Sequence, residues 1–313
     1  MAEVTPPAPS SLAGRRVLVT GGGGFIGSHL CRMCRDAGAD LHAVGRSEQP
    51  PSDCGGVHWT RADLADPDAA RRVVAAAGPE IVFHLAGHPH ATRSLDAVVP
   101  TLRSNLLATV HLLTALAEWQ ATQTGDLRRV ILTGSLEEPA GMDNPTPSSP
   151  YAAGKYAAGC YARMFHRLYG TPVAVARTFM VYGPGQPDLK KLVPYVTTSL
   201  IRGEEAQISS GTRAVDWVYV EDVARGFLAT AAAPGLDGQT LDLGTGVATP
   251  VRAVAEMIAR IVGRPGRLVV GAVPDRPMEQ ERVADVERTF SLTGWRPTVS
   301  LEEGLRRTVE WYR

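Results

Sequence analysis

Four consecutive glycines, Gly21-Gly22-Gly23-Gly24, stand between a short apolar run, Arg16-Val17-Leu18-Val19-Thr20, and a segment from Phe25 to Ala37 with helical spacing. An apolar run of that length reads as a strand buried on both faces, the kind found in parallel sheets covered by helices. The glycines permit a tight turn, let backbone approach a ligand closely, and leave the following helix N-terminus open. A strand, a glycine loop and a helix in that order form the context that receives the pyrophosphate of a dinucleotide. Gly21, Gly24, Phe25, Ile26 and Gly27 are therefore the first candidate cofactor residues. The helix is expected to stop at Gly38, a residue suited to a left-handed C-terminal position.

The same alternation continues along the chain. Asp40-Leu41-His42-Ala43-Val44 predicts a strand, Ala69 to Ala77 a helix, Ile81-Val82-Phe83-His84-Leu85 a strand and Ser94 to Trp119 a long helix. Arg129-Val130-Ile131-Leu132 predicts a strand, Tyr151 to Tyr169 a helix, and Val173-Ala174-Val175-Ala176 a strand. Strands separated by helical stretches imply parallel βαβ units and an α/β, doubly wound sheet. The alternation breaks after about Tyr182. Beyond it, helices are expected at Val193–Arg202, Val251–Val262 and Leu301–Tyr312, and strands at Trp217–Val220 and Thr240–Leu243. The expected organisation is a disordered tail over 1–14 and a dinucleotide-binding domain over 15–180 plus about 217–245. A smaller, discontinuous substrate-binding region takes 181–216 and 246–313.

Composition removes several classes of function. The 313 residues carry 32 basic and 32 acidic side chains, so the formal net charge is zero, and aromatic content is 6%. Neither a whole-chain grip on nucleic acid or anionic membrane nor a base-stacking platform is expected. No apolar run reaches the roughly 18 residues of a membrane span. Met1-Ala2-Glu3-Val4-Thr5-Pro6-Pro7 has neither the basic nor the apolar part of a secretory signal, and four cysteines make no disulfide framework. A cytoplasmic protein is expected. Cys31 and Cys34, on the helix after the glycines, lack a second ligand pair nearby and read as small helical residues, so no metal is expected.

A candidate reacting group follows the strand expected at Arg129-Val130-Ile131-Leu132. In Pro150-Tyr151-Ala152-Ala153-Gly154-Lys155 the phenol and the ammonium are four residues apart, on one helix face. Ser148 or Ser149 can cap that helix, and Pro150 suits its first turn. A phenol is a poor base at neutral pH, but a nearby ammonium and a cationic nicotinamide both favour the phenolate. Tyr151 can then exchange a proton with a hydroxyl or ketone while hydride moves. Leu132-Thr133-Gly134-Ser135-Leu136-Glu137-Glu138 offers the third hydroxyl, from Thr133 or Ser135.

The glycine spacing of three and three, with Thr20 leading, resembles the extended short-chain dehydrogenase/reductase family, in its nucleotide-sugar epimerase, dehydratase and 4-keto-reductase branch. The resemblance runs from about residue 15 to 312. It includes Asp63-Leu64, His84-Leu85-Ala86-Gly87, Asn105, Tyr182-Gly183-Pro184-Gly185 and Thr293-Gly294-Trp295-Arg296-Pro297. It implies that Asp63 and Leu64 contact adenine, that Leu85, Ala86 and Gly87 lie over the cofactor with Asn105 nearby, and that Lys155 holds the nicotinamide ribose. It puts Ser135 at the catalytic position and leaves Thr133 as a strand-end hydroxyl. Glu137 matches the base of sugar 4,6-dehydratases, or is a surface loop carboxylate, while Leu136 stands where some of those enzymes have Asp. His88 and His90 follow the strand end as loop residues of the crevice.

At the end of the second strand, Gly45 stands where NAD enzymes place the acid that binds the ribose 2′-hydroxyl, and Arg46 follows. Without that carboxylate a 2′-phosphate is not repelled, and a guanidinium can grip it. This pattern resembles GDP-mannose 4,6-dehydratases and 4-keto-sugar reductases, and the expectation is NADP(H), with NAD(H) as the alternative. The substrate side departs from the family. Met180 replaces an Asn that binds the sugar nucleotide, and Val215 replaces an Arg before Asp216-Trp217. Arg213 can partly replace that charge, Arg276 matches another Arg that grips the diphosphate, and Lys190 and Lys191 can contribute.

The resemblance thus implies oxidoreduction at a carbon, C4, of a nucleotide-activated deoxysugar, with a 4-keto-sugar reductase favoured on account of Arg46. A 4,6-dehydratase or epimerase that returns hydride internally is the close alternative, and a non-catalytic dinucleotide-binding redox sensor the remote one. A homodimer is expected through Ser94–Trp119 and Tyr151–Tyr169. Its face would be Leu102, Leu106, Thr109 and Leu113, flanked by Leu107, Val110 and Leu112, against Ala152, Tyr156, Gly159, Arg163 and His166.

Overall fold

A computed structural model describes residues 12–50, 56–122, 126–140, 146–275 and 281–313. In chain order the elements are β1 Arg16–Thr20, α1 Phe25–Asp36, β2 Asp40–Gly45, β3 His58–Arg61, α2 Pro67–Ala77 and β4 Ile81–His84. There follow α3 Val98–Thr101, a π-helical stretch Leu102–Leu107, α4 Ala108–Gln120, β5 Arg129–Ser135, α5 Pro150–Tyr169, β6 Val173–Thr178 and β7 Met180–Tyr182. Next come α6 Leu192–Ile201, β8 Ala206–Ile208, β9 Ala214–Tyr219, α7 Val220–Ala232 and β10 Thr240–Leu243. The chain ends with β11 Ala248–Pro250, α8 Val251–Val262, β12 Leu268–Val270, α9 Val286–Thr293 and α10 Leu301–Tyr312.

The chain divides into two units. The first runs to Arg177 and adds Ala224–Leu241 and Arg288–Trp295; the second is Thr178–Val223, Asp242–Glu287 and Arg296–Arg313. A seven-stranded sheet has the order β10-β6-β5-β4-β1-β2-β3, and β1 pairs in parallel with both β2 and β4. The strand order therefore reverses at β1, and ligand crevices in such sheets open at the carboxyl ends of the strands beside that reversal. The apolar runs of β1, β4 and β5 are buried because helices cover the sheet. Leu112, Leu113 and Leu116 of α4 pack with Val130 and Leu132 of β5 and Phe165 of α5.

The helix ends follow local chemistry. The Asp66 side chain accepts from the Asp68 amide at 3.0 Å with Pro67 opening α2, and Ser149, not Ser148, accepts from the Ala152 amide at 3.1 Å with Pro150 opening α5. Both helices end on a left-handed glycine, Gly78 and Gly170.

Several expectations are corrected. Within the expected tail of 1–14, Leu12 is buried and the Gly14 amide donates to the Gly38 carbonyl at 2.8 Å, so these residues pack on the fold; residues 1–11 lie outside the described residues. The long helix is broken into a 3-10 turn at Leu95–Ala97, α3, the π stretch and α4, with Pro100 removing one amide donor near its start. The strand expected at Trp217–Val220 is β9. It lies in a three-stranded sheet of order β11-β9-β7, not in the main sheet, and Val220 opens α7 without a loop. The apolar pattern of Val218, Tyr219 and Val220 marks a buried segment and cannot say which sheet receives it. The expected dimer face is also redrawn. Thr109, Leu112 and Leu113 are buried in their own chain, while Leu95, Val98, Val99 and Leu102 are exposed, as are Tyr161, Leu168 and Tyr169.

Candidate active site

The glycine loop is dictated by close approach of backbone. Gly21 has φ +71°, and a Cβ there would stand 2.7 Å from the Ala86 nitrogen, so only glycine lets the end of β1 touch the end of β4. A Cβ on Gly27 would collide with the Gly21 carbonyl. Gly24 occupies the N-cap of α1 without a side-chain capping bond, so no cap side chain covers the amides of Phe25, Ile26 and Gly27. These residues fit the pyrophosphate of a dinucleotide, which the helix N-terminus would receive.

Behind the loop runs a directed chain of hydrogen bonds. The Ala86 amide donates to Thr20 Oγ1 at 3.2 Å; Thr20 Oγ1 lies 2.7 Å from His84 Nδ1; His84 Nε2 lies 3.0 Å from Thr109 Oγ1; and Thr109 Oγ1 donates to the Asn105 carbonyl at 2.9 Å. Since the Thr109 proton goes to Asn105, His84 must donate from Nε2, and its Nδ1 must accept from Thr20. Burial first, and the Lys155 charge second, push the His84 pKa down to about 3, so this tautomer stays neutral. The Asn105 side chain then clasps His88, accepting from its amide at 2.5 Å and donating to its carbonyl at 3.1 Å. Leu85, Ala86 and Gly87 are thereby held from both ends, and Asn105 Oδ1 lies 2.8 Å from where a Gly87 Cβ would be.

Tyr151 and Lys155 lie on one face of α5, as their spacing requires. The Lys155 ammonium donates to the Thr133 carbonyl at 2.9 Å, and Thr133 Oγ1 donates to the His84 carbonyl at 2.9 Å. Thr133 is thus bonded between strands and Lys155 reaches the strand end. Burial lowers the Lys155 pKa to about 8, against the upward pull of Glu138. Burial raises Tyr151 to about 12; its hydrogen bond with Ser135 opposes that, and Glu137 and Glu138 add to it. The Ser135 hydroxyl accepts from the Glu137 amide at 3.2 Å, which leaves its proton free to be donated. At neutral pH the site therefore combines a neutral phenol, a hydroxyl donor and a charged ammonium. A bound nicotinamide dinucleotide would supply or accept hydride here, with Lys155 placed to hold its ribose.

The remaining candidates separate. Glu137 is half-buried and accepts a long, 3.5 Å bond from Ser148 Oγ. Asp63 is exposed and accepts from the Ala65 amide at 3.0 Å, and Leu64 is buried beneath it. Arg46 is exposed and lowers the pKa of His88, behind burial and His90. Of the substrate residues, Met180 is half-buried in β7, Lys190 is exposed beyond it, and Arg213 sits just before β9; all three belong to the second unit. Arg276 lies outside the described residues. Two neighbours of the site escaped the sequence reading. A Cβ on Gly45 would stand 2.5 Å from the Trp59 ring, so the indole fills the place of the missing acid. Glu138 is buried against Ser135, and its signal was the Ser-x-x-Glu spacing from 135 to 138. Cys31 and Cys34 are both buried, and burial raises the Cys34 thiol to about 12, an unreactive state.

A family model described as the NAD dependent epimerase/dehydratase family matches residues 17–244. The UDP-glucose 4-epimerase of Mycolicibacterium smegmatis is 32% identical, the match covering 95% of this chain and 98% of that protein. The dTDP-glucose 4,6-dehydratase 1 of Escherichia coli K12 is 30% identical, over 95% and 92%. The solved UDP-glucose 4-epimerase of Thermotoga maritima, holding UDP-glucose, superposes with a TM-score of 0.85 at 29% identity, covering 95% of this chain and 98% of that one. Other matching structures hold NAD or NADH. The chain belongs to the NAD-dependent epimerase/dehydratase family, an extended short-chain dehydrogenase/reductase enzyme family with a nucleotide-binding α/β sheet. Among the described residues no helix is long and apolar enough to cross a membrane.

Proposed function

We propose that this chain moves hydride at C4 of a nucleotide-activated hexose, and that it works as a 4-keto-sugar reductase with NADP(H). The observation that carries the reading is geometric: the Ser135 hydroxyl accepts the Glu137 amide and shares a hydrogen bond with Tyr151, so both hydroxyls stand ready to donate to a ketone oxygen. A bound cofactor would supply hydride to C4, and Tyr151 would give its proton to the C4 oxygen, so that a ketone becomes an alcohol. Ser135 bonds the same oxygen, and Lys155 holds the ribose and makes the phenolate left behind less costly. NADP(H) is favoured by Trp59, which fills the space of a side chain at Gly45, and by Arg46 next to it. The nucleotide-sugar class rests on the relatives, which act on UDP-glucose and dTDP-glucose.

The test offers UDP- and dTDP-glucose and their 4-keto derivatives with NADPH or NADH, followed by nicotinamide absorbance and mass spectrometry. Net oxidation of NADPH with reduction of the 4-keto sugar is expected. The second reading, 4,6-dehydration or 4-epimerisation, is favoured by Glu137 near Ser135 and Ser148. It predicts conversion of the parent sugar with no net change in cofactor, and that result overturns the reductase.

We also propose a homodimer that covers the exposed Leu95, Val98, Val99 and Leu102 together with Tyr161, Leu168 and Tyr169. Light scattering is expected to give about twice the 33.4 kDa chain mass. A monomer mass at micromolar concentration overturns it.

A further inference from the structure

The strand end that carries Ser135 is closed by a residue the catalytic reading does not use. Ser135 and Glu138 are bonded reciprocally: the Ser135 amide donates to Glu138 Oε1 at 2.7 Å, and the Glu138 amide donates to the Ser135 carbonyl at 3.1 Å. The Ser135 hydroxyl accepts the Glu137 amide from within the same turn. The carboxylate half of a Ser-x-x-Glu capping box is present, but the Glu138 amide goes to the Ser135 carbonyl and not to its hydroxyl, and the described residues that follow β5 directly form a turn, not a helix. That half is spent on fixing a serine instead of starting a helix.

The surroundings are shaped for that carboxylate. Glu138 is 8% exposed, and a buried carboxylate is costly unless its oxygens are bonded. Gly134 makes the room: a Cβ there would stand 2.7 Å from Glu138 Oε1 and 2.9 Å from the Val175 side chain. The charged and titratable groups around it are Lys155 and Tyr151 of α5, the adjacent Glu137, and Arg177 of β6, whose Cα is 3.2 Å from that same point. Its charge favours the Lys155 ammonium and the neutral Tyr151 phenol, the two protonation states a proton donor site needs.

We propose that Glu138 is a positioning residue: its buried carboxylate, received in the space left by Gly134, locks the Ser135 turn so that the serine hydroxyl presents its proton toward Tyr151 and the reacting oxygen. The inference rests on the reading of Ser135 as the donor in the proposed reaction. A hydroxyl whose lone pair already holds the Glu137 amide has few rotor positions left, and the carboxylate, bonded to the Ser135 amide, fixes the turn in which they meet.

The test compares Glu138→Ala with Glu138→Gln in the full chain with bound cofactor. Glutamine keeps a carbonyl oxygen for the Ser135 amide but loses the charge. For the alanine variant, kcat is expected to fall about 10–100-fold, the cost of a misplaced group, with KM within about twofold. Glutamine should restore most of kcat while the alkaline limb of the kcat profile moves to lower pH, since the lost charge no longer favours the Lys155 ammonium. Hydrogen exchange of the Ser135 amide, read without substrate, should accelerate in the alanine variant and stay slow in the glutamine one. Unchanged exchange in Glu138→Ala, wild-type kcat in that variant, or a glutamine variant as slow as alanine would each overturn the proposal. If the wild-type chain reduces no 4-keto nucleotide sugar, the proposed function fails, and the exchange measurement still judges Glu138.

Discussion

The two units are held by different kinds of constraint. In the first, the crevice is defined by backbone: Gly21 and Gly27 stand where a Cβ would strike another main chain, and Gly87 where it would strike Asn105. No other residue type fits, so the site is spelled out in the sequence. In the second unit Met180 and Val215 stand where the resemblance implied polar anchors, while the loops are fixed by two buried carboxylates. Asp216 accepts from the Thr245 amide and hydroxyl and from the Gly246 and Ala284 amides. Asp222 repeats the pattern on the Thr298 amide and hydroxyl and the Val299 amide. Contacts made through backbone restrict residue type, whereas a surface presented by side chains can change while the scaffold beneath it stays.

The sharpest way to break this contrast is to remove one atom from the first unit. Tyr151→Phe is expected to lower turnover about 10²–10⁴-fold, the usual contribution of a positioned acid or base, and to leave cofactor affinity unchanged. The glycine loop and Lys155 would still be in place. Steady-state rates with calorimetry of cofactor binding check both halves, and a variant with wild-type turnover removes Tyr151 from the chemistry.

In the second unit the corresponding weak point is structural. Asp216→Asn turns one carboxylate oxygen into an amide that faces N–H donors, leaving buried groups without acceptors. A loss of about 3 kcal/mol of stability is expected, the range for breaking a buried charged network. Urea unfolding measures it. Cofactor affinity, read at a temperature where the variant is folded, should not change. A variant as stable as the parent would show that the Thr245 and Ala284 loops do not depend on this carboxylate.

What the sequence made legible follows the same division. β1, β4 and β5 were readable because burial on both faces demands an unbroken apolar run. β3 was not: His58-Trp59-Thr60-Arg61 is an edge strand without a fully buried residue, and its pattern carries no apolar signal. The π stretch was invisible because Leu102, Leu106 and Leu107 fit a helix of either kind, and only the pairing of Asn105 with the His88 backbone shows why the turn widens. Spacing put Tyr151 and Lys155 on one helix face, and the strand end offered Thr133 or Ser135; only the family resemblance chose between those two hydroxyls. Trp59 and Glu138 were missed because each acts on a glycine, Gly45 or Gly134, and a glycine's missing side chain does not say what fills the space.

A smaller effect tests the cofactor reading. If Arg46 grips a 2′-phosphate, Arg46→Ala should weaken NADPH binding about 10–100-fold, as for the loss of hydrogen bonds to a charged group, and leave NADH within about twofold. Gly45→Asp alone should fail to create an NADH preference, since the new side chain meets the Trp59 ring. Equal losses for both cofactors in Arg46→Ala would remove the phosphate contact.

The smallest expected effect has the opposite sign. Burial lowers Lys155 from its ordinary 10.5 to about 8, so between these values the unfolded chain binds the proton that the folded chain has lost. Stability therefore rises with pH across that window, and below about pH 8 the folded chain carries the whole cost, about 3 kcal/mol. Lys155→Met removes the buried charge and keeps much of the stem's packing, but it also leaves the Thr133 carbonyl without its 2.9 Å donor. The net expectation is a gain of about 1 kcal/mol at pH 7, with the slope between pH 8 and 10 flattened and turnover lost. Thermal or urea unfolding at pH 7 and pH 10 checks the sign. If the variant is less stable than the parent at pH 7, Lys155 helps hold the fold together, and the first unit loses its claim to a residue kept for chemistry against stability.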